Sequence, residues 1–231
     1  MIGPFSELQE QYANAVPFPH YVFNNFWNEE ELKRAVEEIT LIKPFLWQQG
    51  DHDAQQRKLW IEAVQQLPQA IRHVLVEMNS PHFVQFISAL TSIPDLLPDP
   101  TYLGGGLHRV CSGGKLAIHA DFNWHPQLKL HRRVNALLYL NEKWFEEWGG
   151  HLELWEPDMS RCAKSLAPVF NRLVVFTITD TAFHGHPEPL ATPAGTDRLA
   201  FALYYYTKER PLEEISAPHW ATWQMRPHGQ I

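Results

Sequence analysis

Gly113-Gly114-Lys115-Leu116-Ala117-Ile118-His119-Ala120-Asp121 is the stretch whose reading decides the fold. The two glycines read as a turn, and the apolar run Leu116, Ala117 and Ile118 then leads into His-x-Asp. Alternate residues of a strand point to the same side, so one strand end delivers His119 and Asp121 together. A non-haem ferrous site needs two histidines and one carboxylate on one face of the metal, with the remaining positions open. The pair by itself is weak evidence in a chain with 13 histidines, because His151/Glu153 and His186/Glu188 share its spacing. His151, Glu153 and Trp155 alternate with Leu152 and Leu154 as a half-buried strand does, so that pair is read as structural. Glu188 stands between two prolines, a poor frame for a ligand.

Outward from this stretch the chain divides into two styles. From Asp99 onward glycines cluster at Gly104 to Gly106, Gly113-Gly114 and Gly149-Gly150. Short β-rich runs lie around them: Lys115 to His119, Val134 to Leu140, His151 to Trp155, Arg172 to Thr179 and Arg198 to Thr207. Strands at that spacing with turn signals between them make a sandwich or barrel. Before Asp99 the pattern is mainly helical, after a short strand at Tyr21 to Phe23. Asn28 is placed to cap a helix whose first turn holds Glu29, Glu30 and Glu31, and Leu32, Ala35, Val36 and Ile39 form its apolar stripe. Leu67, Ile71, Val74, Leu75 and Met78 repeat the period. Ser80-Pro81 then restarts a helix with Phe83, Ile87 and Leu90 on its apolar face. These stripes are core. The expected organisation is one domain over 1–231: helices in 1–98, a β sandwich or barrel in 99–210 and a C-terminal extension in 211–231.

Composition narrows the function classes. Hydrophobic residues make up 45% and charged residues 19% of 231, which is globular and too apolar for disorder. A net charge of −7 and a pI near 6.0 argue against a nucleic-acid partner, which needs a basic face. The one basic cluster, Lys129 with His131, Arg132 and Arg133, reads as a solvated loop beside a strand. Cys111 and Cys162 form no CxxC, so neither a disulfide framework nor structural zinc is expected and a reducing, cytoplasmic setting is the default. No signal peptide shows between Met1 and Val16, and no apolar run is long enough for a membrane span.

The order His119-x-Asp121, Tyr139-Leu140-Asn141, Gly149-Gly150-x-Leu152-x-Leu154, His184 and Arg198 resembles the iron- and 2-oxoglutarate-dependent dioxygenases, in their prolyl-4-hydroxylase-like branch. The resemblance runs from about His108 to Thr207. It implies an α+β fold with a mainly β core, a double-stranded β-helix (jelly-roll) barrel with N-terminal helices packed outside. It also implies that His119, Asp121 and His184 bind Fe(II) and that Arg198 holds the C5 carboxylate of 2-oxoglutarate, since a guanidinium grips a carboxylate in a two-pronged fork. Tyr139 would hydrogen-bond the same carboxylate. Two departures stand out. Arg109 occupies the place of a family tyrosine that faces the co-substrate, and the step from His184 to Arg198 is longer than usual. Either the turn Pro187 to Gly195 is extended, or His186 is the ligand. Pro187 holds His186 extended and commits it to the outgoing turn, which favours His184.

The implied reaction turns 2-oxoglutarate and O2 into succinate and CO2 while hydroxylating a C–H bond, with ascorbate as a candidate reductant. The substrate is a prolyl residue, an amino acid or a small metabolite. His108, Arg109, Asn123 and His125 lie near the metal strand and are candidates to bind it, and Phe122, Trp124 and Phe183 are candidates to exclude water. Halogenation is disfavoured because Asp121 occupies the position that reaction leaves open. Nucleic-acid demethylation is disfavoured because Tyr204 stands where that branch has another arginine. The rival from outside enzymes is a non-catalytic jelly roll that holds a metal or ligand. Nothing in the sequence sets the oligomeric state.

Overall fold

A computed structural model describes residues 5–227. Its helices are α1 (Phe5–Ala13), α2 (Glu29–Glu38), α3 (Gln69–Met78) and α4 (Pro81–Thr91). The first strands are β1 (His20–Asn24), β2 (Gln48–Gln49), β3 (Gln55–Ile61), β4 (Leu97–Pro98) and β5 (Gly106–Ala120). There follow β6 (Trp124–His125), β7 (Leu130–Tyr139), β8 (Leu152–Trp155), β9 (Cys162–Leu166) and β10 (Arg172–Thr177). Last come β11 (His184–His186), β12 (Arg198–Thr207) and β13 (Thr222–Trp223).

The helix starts follow from capping chemistry. The Asn28 side chain accepts from the Glu31 N–H at 3.0 Å, and Ser80 Oγ accepts from the Phe83 N–H at 3.2 Å with Pro81 behind it. Each cap satisfies a donor the helix leaves unpaired and contributes about 1 kcal/mol. The third helix begins at Gln69, because Pro68 stands at its N-cap position and Leu67 is extended.

The named strands pair antiparallel into one curled sheet in the order β1-β10-β7-β12-β5-β11-β8-β9, with β3 and β13 on the other edge of β5. This is a double-stranded β-helix, as expected. Period-two alternation gives the sheet two apolar faces. Val134, Ala136, Leu138, Leu173, Val175, Phe201, Leu203 and Tyr205 pack under the helices with Leu32, Ile71, Leu75 and Ile87. Tyr139, Val174, Phe176 and Ala200 face the interior with Leu152 and Leu154. Each fully buried aliphatic or aromatic side chain contributes roughly 1.5–3 kcal/mol, so the helices and the main strands are held as one body. Among the described residues no helix is long and apolar enough to cross a membrane.

Three sequence expectations need correction. Gly113-Gly114 is not a turn but lies inside the 15-residue strand β5. Gln56 pairs with Lys115 and Lys58 with Val110, so β5 carries extra residues in a bulge there. Gly113 takes φ +78° at that bulge, a conformation glycine adopts without strain. The bulge bends β5, so that its first half pairs with β12 and its second half with β11. The strand β3 is the second correction, since Gln55–Ile61 lacks a clean apolar alternation and gave no strand signal. The third is the basic cluster: Arg132 is 1% exposed and Arg133 is buried too, so neither lies in a solvated loop.

Candidate active site

The bend in β5 brings His119 directly opposite His184 on β11, with ring centroids 4.6 Å apart. Asp121 follows one residue beyond the end of β5. Ligand atoms of His119, Asp121 and His184 all lie within 4.8 Å of one another. His186, two residues on, pairs its backbone with Leu116 and lies outside this cluster.

Each imidazole is oriented by its own backbone. His119 Nδ1 lies 2.9 Å from the Ala117 carbonyl oxygen, and His184 Nδ1 lies 2.9 Å from that of Ala182. A carbonyl only accepts, so Nδ1 carries the proton and the Nε2 lone pair points inward. The two Nε2 atoms are 3.6 and 3.4 Å from the Asp121 oxygens. Two lone pairs and a carboxylate converging on one point form a facial donor set that fits a divalent cation such as Fe(II). Burial pushes the His119 imidazole down from its ordinary value, against the attraction of Asp121, which keeps Nε2 available as a donor.

Asp121 is held from behind. Its Oδ2 accepts from Arg132 Nη2 at 3.0 Å and from Asn135 Nδ2 at 2.7 Å. Arg132 also donates to Asn135 Oδ1 through Nε and Nη2, at 3.0 and 2.7 Å. The guanidinium carbon lies 3.4 Å from the Tyr204 ring centroid and 4.3 Å from that of Phe122. Burial alone would raise the Asp121 carboxyl, yet Arg132 and the two imidazoles hold it well below the usual carboxylate range. The same enclosure pushes the Tyr204 phenol up to about 12.

A second polar group stands nearby. Arg198, at the start of β12, donates through Nε to the Gly150 carbonyl at 2.7 Å and through Nη2 to the Tyr139 hydroxyl at 3.1 Å. Its Nη1 makes no hydrogen bond among the described residues. Gly150 admits this side chain: a Cβ there would collide with Leu190 and come within 3.3 Å of Arg198 Cδ. Burial raises the Tyr139 phenol and Arg198 opposes the shift, so the hydroxyl stays protonated and able to donate.

The other candidates fall into different places. His108 faces the interior, with Nε2 2.9 Å from the Gly104 carbonyl; burial and the Lys58 charge hold its imidazole well below the ordinary value. Arg109 is engaged by Asp197, with Nε to Oδ2 at 2.6 Å. Asn123 is used as a tether: it donates to Ser216 Oγ and the Ala217 carbonyl and accepts from the His219 N–H. His125 is wholly buried, with Asp99, Thr101 and the Leu128 N–H around its ring. Phe183 belongs to an outer apolar cluster with Ile118, Ala120 and Trp155, and Trp124 packs against His131 at 4.8 Å. Glu153 accepts from Trp155 Nε1 at 2.8 Å and Glu188 pairs with Arg226, away from the cluster.

Sequence reasoning missed Arg132, Asn135, Lys58 and Trp223. The last belongs to β13, which pairs with β5 at His119 and lays its indole 4.9 Å from the His119 ring.

With this geometry in view, the comparisons with known proteins converge. Residues 105–206 match the sequence model of the 2OG-Fe(II) oxygenase superfamily. The chain is 26% identical over 218 residues to "Prolyl 3-hydroxylase OGFOD1" of Xenopus laevis, covering 89% of this chain and 38% of that protein. The Mus musculus counterpart is 34% identical over 79 residues, 32% of this chain and 14% of that one. The chain thus spans well under half the length of these curated relatives. Among solved structures, a Pseudomonas putida prolyl-4-hydroxylase superposes with a TM-score of 0.57 at 20% identity, covering 88% of this chain and 98% of that one. A prolyl hydroxylase from Trichoplax adhaerens gives 0.59 at 18% identity, over 88% and 89% of the two chains. The structures define the fold. The family match makes residues 105–206 similar to the 2OG-Fe(II) oxygenase superfamily, and the relatives that the chain matches include prolyl hydroxylases.

Proposed function

We propose that this chain is an Fe(II)- and 2-oxoglutarate-dependent dioxygenase that hydroxylates an unactivated C–H bond of a prolyl residue, an amino acid or a small metabolite. The observation that carries the reading is the convergence of His119, Asp121 and His184, with both Nε2 lone pairs inward, beside the buried Arg198–Tyr139 pair. A metal alone would need no such pair.

In this reading His119, Asp121 and His184 hold iron, and iron with bound 2-oxoglutarate supplies the oxidising chemistry that consumes O2 and releases succinate and CO2. Arg198 turns its unused donor to the C5 carboxylate, and Tyr139 adds a second bond to it. Arg132 and Asn135 occupy Asp121 Oδ2, which leaves Oδ1 as the metal-facing oxygen. Trp223 covers the His119 side and Phe122 shields Arg132, so water is kept from these pairs and each is worth more than in solvent. Ascorbate is a candidate reductant.

The relatives named as prolyl hydroxylases favour a prolyl or related substrate, free or in a peptide. The chain is read as one unit: a catalytic barrel over 99–210, a helical part over 1–98 and an extension over 211–231, whose described residues pair with β5 at Thr222 and Trp223. The net charge of −7 argues against a nucleic-acid partner. The two free cysteines, Cys111 and Cys162, support a reducing, cytoplasmic setting.

Anaerobic titration with Fe(II), with and without 2-oxoglutarate, tests the reading. A weak visible charge-transfer band that needs both, followed by succinate release on exposure to O2, is expected. Metal binding indifferent to 2-oxoglutarate would instead favour a non-catalytic jelly roll.

A further inference from the structure

We propose that Lys58 provides a second anion-binding point beside the reaction centre and takes a carboxylate of the primary substrate. The inference rests on the dioxygenase reading and adds a substrate class to it.

The argument begins with register. Lys58 of β3 and Arg198 of β12 pair with the same residue, Val110 of β5, from its two sides. Paired residues of an antiparallel sheet share a face, so both cations project from the sheet on the side of the site. Two inter-strand spacings, roughly 10 Å, separate their backbones. That distance gives each carboxylate its own cation.

Unlike Arg132 and Arg198, Lys58 has no hydrogen bond or ion pair among the described residues. It is half-buried, and its charge is felt at Asp121, Arg132 and Arg198. An ammonium so placed gives up hydration without a partner, at a cost an arriving anion removes. Burial, with Arg132 and Arg198 nearby, pushes it down to about 8 in spite of Asp121. Beside it lies a second unspent group. The His186 imidazole is 3% exposed, its Nδ1 has no partner, and the charges of both Lys58 and Arg198 reach it.

Charge decides what the ligand carries. Asp121 is set against Arg132, and the two negative charges of 2-oxoglutarate are set against those of Fe(II). Arg198 and Lys58 then leave the loaded site with surplus positive charge in a poorly solvated setting. A carboxylate on the substrate offsets that surplus, and a cationic group in the same place meets like charge. The class is a free amino or imino acid bound through its carboxylate, or a peptide with a terminal or acidic carboxylate beside the residue attacked.

The test uses the whole protein, with Zn(II) in place of Fe(II) to prevent turnover and with lysines carrying 13C-methyl groups. The Lys58 resonance is assigned by its loss in Lys58→Arg. With 2-oxoglutarate saturating, acetate should shift that resonance saturably, whereas acetamide and sodium chloride at equal ionic strength should not. Lys58→Gln should change 2-oxoglutarate affinity, read from the Fe(II) charge-transfer band, by less than about threefold, because the ammonium serves the other ligand. A resonance that moves with 2-oxoglutarate and then ignores acetate would assign Lys58 to the co-substrate, and one that ignores both would make it a solvated charge. Either overturns the inference alone. A protein that gives no band with 2-oxoglutarate overturns the dioxygenase reading and this one with it.

Discussion

Arg132 shows how one side chain can set up a candidate metal cluster without belonging to it. Two donors on one carboxylate oxygen leave Asp121 a single oxygen for the cation and weaken it as a base, so the set is rigid as well as charged. Replacing Arg132 by Met removes the ion pair and the stack between Tyr204 and Phe122. Iron affinity is expected to fall by about 10- to 100-fold, and Lys, which keeps the charge but loses the fork, should recover little. Anaerobic iron titration with thermal melting of both variants checks this, and unchanged affinity in a folded Met variant would refute it. Two further outcomes belong at this scale. Alanine at His119 or His184 should abolish iron binding while His186→Ala retains it; iron lost from the His186 variant and kept by the His184 variant would reverse the choice. Arg198→Ala should weaken 2-oxoglutarate by about 10- to 150-fold, the worth of one buried charge-assisted contact. Activity with an unaltered 2-oxoglutarate requirement would remove Arg198 from the site. Strand period made His119 and Asp121 candidates, whereas Tyr139 and the role of Arg198 came only with the family resemblance. Arg132 was not legible in the sequence, because the pairing of β7 with β12 shifts register between Tyr205 and Tyr206. Counting by twos from Tyr139 puts Arg133 inside, and the irregularity puts Arg132 there.

At the scale of elements, the C-terminal strap and the edge strand β3 matter most. The strap is tied at Asn123, at Asp180 through His219, at Glu188 through Arg226, and by the pairing of β13 with β5. Asn123→Ala cuts three of those bonds at once. It is expected to speed proteolysis within 216–227 and to leave the melting temperature of the barrel nearly unchanged. An equal drop in the stability of the whole molecule would show that the strap is part of the core. The strap carries few apolar residues in any period and therefore gave no strand signal. Its pairing is imposed by the free edge of β5. Gly106 joins the same edge to β3, since a Cβ there would collide with the Ile61 carbonyl oxygen. Helices α2, α3 and α4, by contrast, were readable to within two residues, because caps and apolar stripes are local signals, while α1 (Phe5–Ala13) went unread.

At the scale of the molecule, the buried imidazoles make acid a stress on the fold. Burial and the Lys58 charge keep His108 neutral in the folded protein, while the unfolded chain takes up its proton near 6.5. The folded state therefore binds fewer protons below that value. Stability is unaffected above about pH 6.5 and falls as the pH drops toward the lower folded value. Urea midpoints of the metal-free protein should fall further between pH 7.5 and 5.5 in the wild type than in His108→Gln. Equal losses in the two would locate the acid sensitivity elsewhere.

The bulge in β5 has a consequence for how this chain can change length. It works as a spacer that sets two workstations against each other, with Val110 opposite Arg198 on one side and His119 opposite His184 on the other. One residue added at Ser112 would turn His119 and Asp121 to the outer face, because a strand alternates. Two added residues would restore the facing but move the pair along by roughly 7 Å, away from its place opposite His184. Insertions that surface loops absorb freely are thus forbidden in this short arc, and the distance between the His119–Asp121–His184 cluster and Arg198 is written into the count of residues from Val110 to His119.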